Sequence, residues 1–264
     1  MFHCLIFGNV SETYGFPISR SPGIYRITHT LRNLGWDAES VDFFNSWSLE
    51  ELKQLCKQRI GTNTKFIGIS HLFIYNTISD KLYNFCKWIK TMYPDIDIIS
   101  GSMAYPYIKC RYIDYHIAGY GELALEHLIK WLYSNGPKPK FVTQDHERQV
   151  IDAINEYPAF PMKNLYTSYE SRDFLQPHEW LGIETSRGCI FKCSFCNFPI
   201  LGVKGDYSRT AKDFEYYLKD VYESYGIHQY FVTDETFNDR ADKVSKFADI
   251  VDNLSFQPYF VGYI

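Results

Sequence analysis

Short apolar runs alternate with segments of helical period through the first 135 residues, and no other feature of the chain constrains its fold so strongly. Residues 2–7 (FHCLIF) form an apolar run, followed by a loop rich in Gly, Ser and Pro. Ile24, Ile27, Leu31 and Leu34 recur at helical spacing and stop at Gly35, a natural C-terminal breaker. Residues 38–44 predict a strand, and a helix follows that Ser48 can cap, with Glu50 and Glu51 in its first turn. Residues 66–70 and 96–100 predict two buried strands, separated by a helix over 77–92 that ends before Pro94. Residues 112–117 predict a fifth strand, and Gly121-Glu122 opens a helix carrying Leu125, Leu128, Ile129 and Leu132. Strands and helices alternating at this pace predict an α/β fold with a parallel, doubly wound sheet.

The pattern weakens after Gly136-Pro137 and restarts at Trp180. Between them lies a polar, proline-punctuated stretch with brief helical patterning over 150–155, which predicts a linker over 136–179. Residues 180–184 then predict a strand, residues 210–225 a helix closed by Gly226, and residues 227–232 a second strand. A helix over 240–254 leads to a third strand over 258–264. The expected organisation is therefore a doubly wound domain over 1–135, a linker over 136–179 and a second α/β unit over 180–264.

Chemistry concentrates just after the strand at 180–184, where Cys189, Cys193 and Cys196 fall within eight residues. Three thiolates so close together suit a metal centre. Four would complete a cubane iron–sulfur cluster for electron transfer, whereas three leave one iron with an open position. Tetrahedral zinc is the alternative, and a structural zinc asks for a fourth protein ligand; His178 lies on the far side of the strand, His228 starts a later one, and no second CxxC follows. Seven scattered cysteines without a secretory signal argue for reduced thiols rather than disulfides. Cys4, Cys56, Cys86 and Cys110 sit singly in apolar surroundings and are expected in the core.

The spacing CxxxCxxC, with Arg187-Gly188 before the first cysteine and Phe195 before the last, resembles the signature of the radical S-adenosylmethionine (radical SAM) enzymes. That resemblance implies a 4Fe-4S cluster on Cys189, Cys193 and Cys196, with the amino and carboxylate groups of S-adenosylmethionine on the open iron. It implies reductive cleavage to a 5'-deoxyadenosyl radical, for hydrogen abstraction or methyl transfer on a substrate the sequence does not name. It also implies that the second unit is the first three strands of a partial TIM-like barrel. Loops at the carboxyl ends of such strands build the site, so the cysteine loop and the run from Asp234 to Asp239 should share a face. Asp234 and Glu235 match the family's second-strand element that receives the amino group of S-adenosylmethionine, and Phe195 matches the residue lying against adenine. Two acids after a strand are also a common helix cap, and Phe195 can equally plug the cluster. Arg187 and Lys192 are expected as solvated loop residues.

A second resemblance covers the first domain. The segments GIYRITHTLRNLGW, FIGISHLF, IISGSMAY and HIAGYGELALEHLI are similar to the cobalamin-binding-type domain that precedes many radical SAM barrels. Ser70-His71-Leu72 matches its Ser-x-Leu element, and Gly101 keeps one of its paired glycines. The Asp-x-His-x-x-Gly motif is absent after the first strand, so cobalamin and a cobalamin-free scaffold both stay open. The methylthiotransferases carry a similar arrangement with three further cysteines at the first domain's strand ends. Here those ends read Gly8-Asn9, Ser70-His71 and Ser100-Gly101, without the necessary cysteines, which argues against that activity.

A net charge of -4 without any Lys/Arg block argues against a nucleic-acid groove, and no apolar run approaches the ~20 residues of a membrane helix. A cytoplasmic location is expected. The 84 residues after Trp180 supply three strand units, against ~250 residues for a full barrel. The expectation is thus an amino-terminal portion of a longer enzyme, or one half of a split one with the carboxyl-terminal half of the barrel as a separate chain. The family further implies an electron donor such as a flavodoxin or ferredoxin. The competing class is a non-enzymatic metal-binding or interaction module holding an iron–sulfur centre or zinc on the three cysteines.

Overall fold

The computed structural model describes residues 1–10, 17–71, 79–102, 110–141, 143–145, 148–157, 167–187, 191, 193–195, 211–238 and 240–263. In chain order the elements are β1 (His3–Phe7), β2 (Ser19–Arg20), α1 (Pro22–Asn33), β3 (Asp37–Val41), α2 (Leu49–Arg59), β4 (Thr64–Ser70), α3 (Ser79–Met92), β5 (Asp97–Ser102), β6 (Tyr115–Ala118) and α4 (Gly121–Ser134). Then come β7 (Thr143–Asp145), β8 (Arg148–Asp152), α5 (Ala153–Glu156), β9 (Trp180–Ile183), α6 (Ala211–Tyr225), β10 (Gln229–Val232), α7 (Ala241–Asp252) and β11 (Tyr259–Gly262). The chain divides into two compact units, residues 1–9 with 23–157 and residues 10–22 with 158–264.

In the first unit a seven-stranded sheet runs in the order β3-β1-β4-β5-β6-β8-β7. Every pairing is parallel except β7 with β8. Phe7 lies opposite Val41 on one side and Ile69 on the other. Side chains alternate across a strand, so Leu5 and Phe7 share a face with Ile67, Ile69 and Ile98. Leu52 and Cys56 from α2 and Leu82, Phe85 and Ile89 from α3 close that face into one core. Phe85 meets Phe7 with ring centroids 5.1 Å apart and Phe44 at 5.6 Å, both edge to face. The helix cap at Ser48 forms as the sequence predicts: Ser48 Oγ accepts from Glu51 N at 3.2 Å, and Glu51 Oε2 accepts from Ser48 N at 2.7 Å. Such a cap contributes about 1 kcal/mol.

The chain moves outward from β1 to β3 and then returns to the other side of β1 as β4. The direction of winding therefore reverses between β1 and β4, and in open α/β sheets that reversal opens a crevice outside the carboxyl ends of the strands.

Two boundaries differ from the sequence-based expectation. Residues 143–156, expected within the linker, contribute β7, β8 and α5 to the first unit. Val150 and Ile151 are buried where β8 pairs with β6, His116 facing Val150 and Ile117 facing Ile151. A five-residue strand with two apolar residues carries too little period to separate it from the helical turn that follows at Ala153.

The second difference is that residues 10–22 belong to the second unit, where β2 pairs with β9. Arg20 clamps Glu179 through Nε at 2.5 Å and a terminal nitrogen at 2.8 Å, and donates to the Asp173 carbonyl at 3.0 Å. Gly182 makes the close approach of this segment feasible. A Cβ there would lie 2.7 Å from Pro22 Cδ and 2.9 Å from the Arg20 carbonyl oxygen. A two-residue strand has no periodicity to announce it.

The sheet of the second unit runs β11-β10-β9-β2, all parallel. The three strands expected after residue 180 are present in the expected order. Leu181 and Ile183 of β9 and Tyr230 and Val232 of β10 pack under Phe214, Tyr217, Leu218 and Val221 of α6, with Ile250 of α7. Tyr230 is fully buried and its hydroxyl donates to the Ile227 carbonyl at 2.9 Å. Its burial raises the phenol well above the ordinary range. No helix among the described residues is long and apolar enough to cross a membrane.

Candidate functional site

The carboxyl ends of β9 and β10 are joined by a network of buried polar groups. Thr233 donates to the Ile183 carbonyl twice, from its backbone nitrogen at 2.8 Å and from its hydroxyl at 2.9 Å. One residue on, Asp234 is 2 % exposed and its carboxylate points back across the strand ends. Its Oδ1 accepts from Thr185 N at 2.7 Å and from Ser186 N at 3.2 Å. Its Oδ2 accepts from the Thr185 hydroxyl and from Ser186 Oγ at 2.8 Å. Lys243 from α7 completes the set, with Nζ 3.0 Å from Asp234 Oδ2 and donating to Ser186 Oγ at 2.7 Å and the Thr236 carbonyl at 3.3 Å. Two desolvated charges are tolerated because each is paired and their remaining valences are filled by hydrogen bonds.

Thr185 and Ser186 begin the segment that runs into the cysteine loop, so this network sets where that loop leaves β9. Asp234 is thereby a positioning residue in this structure, its oxygens engaged by the chain itself. Glu235 is different. The residue as a whole is exposed, but its carboxyl is partly withdrawn from water, and this desolvation, followed by the nearby Asp234 and Glu184 charges, pushes the carboxyl up to about 7. An exposed acid that ionises near neutrality can receive a cation, and perturbed values of this kind cluster at functional sites.

Of the three cysteines, Cys193 is described and exposed as a free thiol, whereas Cys189 and Cys196 lie outside the described residues. Phe195 is 87 % exposed, so its ring neither plugs a core nor packs within one. Among the described residues no three metal-binding side chains converge. Lys192 also lies outside the described residues. Arg187 corrects the expectation of a solvated loop residue: it is 4 % exposed, and its Nε donates to Glu184 Oε1 at 2.6 Å and a terminal nitrogen to Oε2 at 3.3 Å. The pairing with Glu184, three residues earlier at the strand end, draws the guanidinium inward. Thr185, Ser186 and Lys243 are site residues that the sequence reading did not single out. Lys243 gave no signal, because one lysine in the first turn of an amphipathic helix looks like any other.

The four remaining cysteines are buried as expected. Burial pushes the Cys56 thiol up to about 12, and a hydrogen bond with Cys110 together with burial raises Cys86, so these thiols are poor nucleophiles and ligands.

In the first unit the winding reversal places the residues after β1 and β4 at the rim. His71, directly after β4, is 7 % exposed, and its backbone nitrogen donates to the Gly101 carbonyl at 2.9 Å. Its ring meets the His116 ring edge-on at 6.0 Å. Ser100 Oγ lies 2.7 Å from His116 Nδ1. At Gly101 an added Cβ would meet nothing nearer than the Ile117 carbonyl at 3.8 Å. The packing of the described residues does not demand glycine there.

Neither a family model nor a curated protein sequence matches this chain. Solved structures do. OxsB, a cobalamin-dependent S-adenosylmethionine radical enzyme with aqua-cobalamin bound, superposes with a TM-score of 0.75 at 16% identity over 98% of this chain and 38% of its own. TsrM from Kitasatospora setae, a radical S-adenosylmethionine methyltransferase with cobalamin and a [4Fe-4S] cluster bound, gives 0.65 at 14% identity over 96% of this chain and 52% of its own. TsrM with tryptophan substrate and a SAM analogue gives 0.66 at 15% identity over 94% of this chain and 51% of its own. The chain thus has the α/β fold of cobalamin-dependent radical SAM enzymes across nearly its whole length and spans 38–52% of theirs.

Proposed function

We propose that this chain forms the cobalamin-type domain and the cluster-carrying part of the barrel of a radical SAM enzyme. One observation carries the reading: CxxxCxxC follows β9, the first of the three parallel strands after residue 179, in a chain whose fold is the fold of OxsB and TsrM. The donor set fits the group, since three thiolates within one loop can hold three irons of a 4Fe-4S cluster and leave the fourth open. When bound, that cluster supplies the electron that cleaves S-adenosylmethionine to methionine and a 5'-deoxyadenosyl radical.

The chain's own residues have separable tasks. Cys189, Cys193 and Cys196 bind iron. Asp234 and Lys243 hold Thr185 and Ser186, and so the root of the cysteine loop, against β10 and α7. Glu235 presents its carboxylate one residue further on for the ammonium of S-adenosylmethionine, and Phe195 offers a ring to the adenine. Cobalamin is the second cofactor, seated where the winding reverses between β1 and β4, with hydrogen abstraction or methyl transfer as the reaction. A flavodoxin or ferredoxin supplies the electron, and further barrel strands, from the same chain or another, complete the wall beyond β11.

Anaerobic reconstitution tests the reading. About four irons and four sulfides per chain are expected, and each of Cys189→Ala, Cys193→Ala and Cys196→Ala should lose the cluster absorption. Zinc without sulfide, or a cluster surviving in all three variants, would replace this reading with that of a metal-binding module.

A further inference from the structure

We propose that Arg187, held by Glu184, raises the reduction potential of the cluster on the neighbouring cysteines, an inference that rests on the cluster part of the reading above. Arg187 stands two residues before Cys189. A chain advances at most about 3.6 Å per residue, so the Cα atoms of the two lie within about 7 Å of each other.

The placement of Arg187 is costly. Arginine in a loop ordinarily keeps its charge in water, yet this residue is 4 % exposed. Its guanidinium meets Glu184 with two prongs, Nε to Oε1 at 2.6 Å and a terminal nitrogen to Oε2 at 3.3 Å. The Glu184 side chain is itself mostly buried, at 16 % exposed. Anchoring the root of the cysteine loop does not require this pair, because Asp234 and Lys243 already hold Thr185 and Ser186. What the pair adds is charge withdrawn from water.

The balance of charge at the strand ends gives that addition a consequence. Glu184 follows β9, and Asp234 and Glu235 follow β10, so three acids stand at neighbouring carboxyl ends. Reduction adds an electron to a cluster already held by three thiolates; nearby acids oppose it and nearby cations favour it. Lys243 offsets Asp234 at 3.0 Å, and Arg187 offsets Glu184. The two cations differ in position. Lys243 comes from α7 and reaches the loop root through Ser186, whereas Arg187 belongs to the chain that becomes the loop. Exposed cations of this unit count for less: Lys219, paired with Glu215 on α6, is 39 % exposed, and its charge is screened by water and salt. A unit charge about 10 Å from a redox centre, at an effective dielectric of about 20, changes the reduction equilibrium by about tenfold. For one electron that is about 59 mV.

The experiment is a redox titration of the full chain after anaerobic reconstitution, with the reduced cluster followed by electron paramagnetic resonance. Arg187→Gln removes the cation and should lower the midpoint potential by about 59 mV, and Glu184→Gln removes the anion and should raise it by a similar amount. The double variant should return toward the wild-type value. Arg187→Lys keeps the charge without the fork and should lie closer to wild type than Arg187→Gln. Lys219→Gln should leave the potential unchanged. A merely structural role would distort the loop in both single variants and move them in the same direction; that result, or no shift in either, overturns the assignment. So does a shift in Lys219→Gln as large as that in Arg187→Gln. Where only one of the single variants holds a cluster, the sign of its shift decides: the expected sign supports the assignment, and no shift or the opposite sign overturns it. A wild-type chain that takes up no cluster overturns the cluster reading itself.

Discussion

The two sheets solve the same problem, holding parallel strand ends in place, by different physics. In the first unit the end of β1 and the segment after β3 are held by apolar packing, with Phe7, Phe44 and Phe85 meeting edge to face above Leu5 and Ile67. In the second unit the ends of β9 and β10 are held by a buried carboxylate receiving four hydrogen bonds and one ammonium. Apolar burial is non-directional and tolerates substitution by shape, whereas a buried charge network depends on every partner. The unit that carries the cysteine loop thus has the more brittle strand ends, and the more accurately placed ones.

The largest expected effect breaks the polar side of that contrast. Asp234→Ala leaves the Lys243 charge and the Thr185 and Ser186 donors without their acceptor and should cost about 3–5 kcal/mol in urea unfolding. The double variant Asp234→Asn with Lys243→Met should cost less than the sum of its single changes, by about 0.5–3 kcal/mol of coupling. Strict additivity would show that the ion pair does not act as a unit.

The apolar side is broken by Phe85→Ala, which opens a cavity beneath Phe7 and Phe44 and should cost about 3–5 kcal/mol. It should leave the unfolding of the second unit unchanged, as Asp234→Ala should leave that of the first, because the two sites lie in separate units. The two transitions can be followed separately, since Trp180 lies in the second unit while Trp36, Trp47, Trp88 and Trp131 lie in the first.

A smaller effect sharpens the comparison at Glu235. Its carboxyl, raised to about 7, is mostly protonated at pH 6 and mostly ionised at pH 8. If it receives the ammonium of S-adenosylmethionine, affinity should rise with pH across that window by up to about tenfold, or roughly 1.4 kcal/mol. Glu235→Gln should flatten the profile at the low-pH affinity. Calorimetric titration of the cluster-loaded chain with S-adenosylmethionine at pH 6, 7 and 8 checks this, and an unchanged profile in the variant would move the ammonium site elsewhere.

Much of this architecture was legible in the residues. The buried strands at 66–70 and 96–100, the Ser48 cap, the helix ending at Gly226 and the position of the cysteine loop all follow from apolar period and punctuation. The misses share one cause. β2 has two residues, and β8 carries only Val150 and Ile151 as apolar signals, so neither has enough length for period to register. Asp234 was legible as an acid after a strand, yet its role was not, because Thr185 and Lys243 lie 49 and 9 positions away on other elements.

What the amino-acid sequence determined by itself is the kind of chemistry and the class of fold, because thiol spacing and apolar period are local properties that survive in a one-dimensional string. Only the tertiary structure decided that residues 10–22 join the second unit, that Arg187 turns inward to Glu184, that Asp234 serves the chain while Glu235 remains exposed, and that His71 stands at the winding reversal backed by His116. Each of these depends on strand order, on the register of parallel neighbours, or on which carboxylate loses its water, and those are properties of pairs brought together by folding.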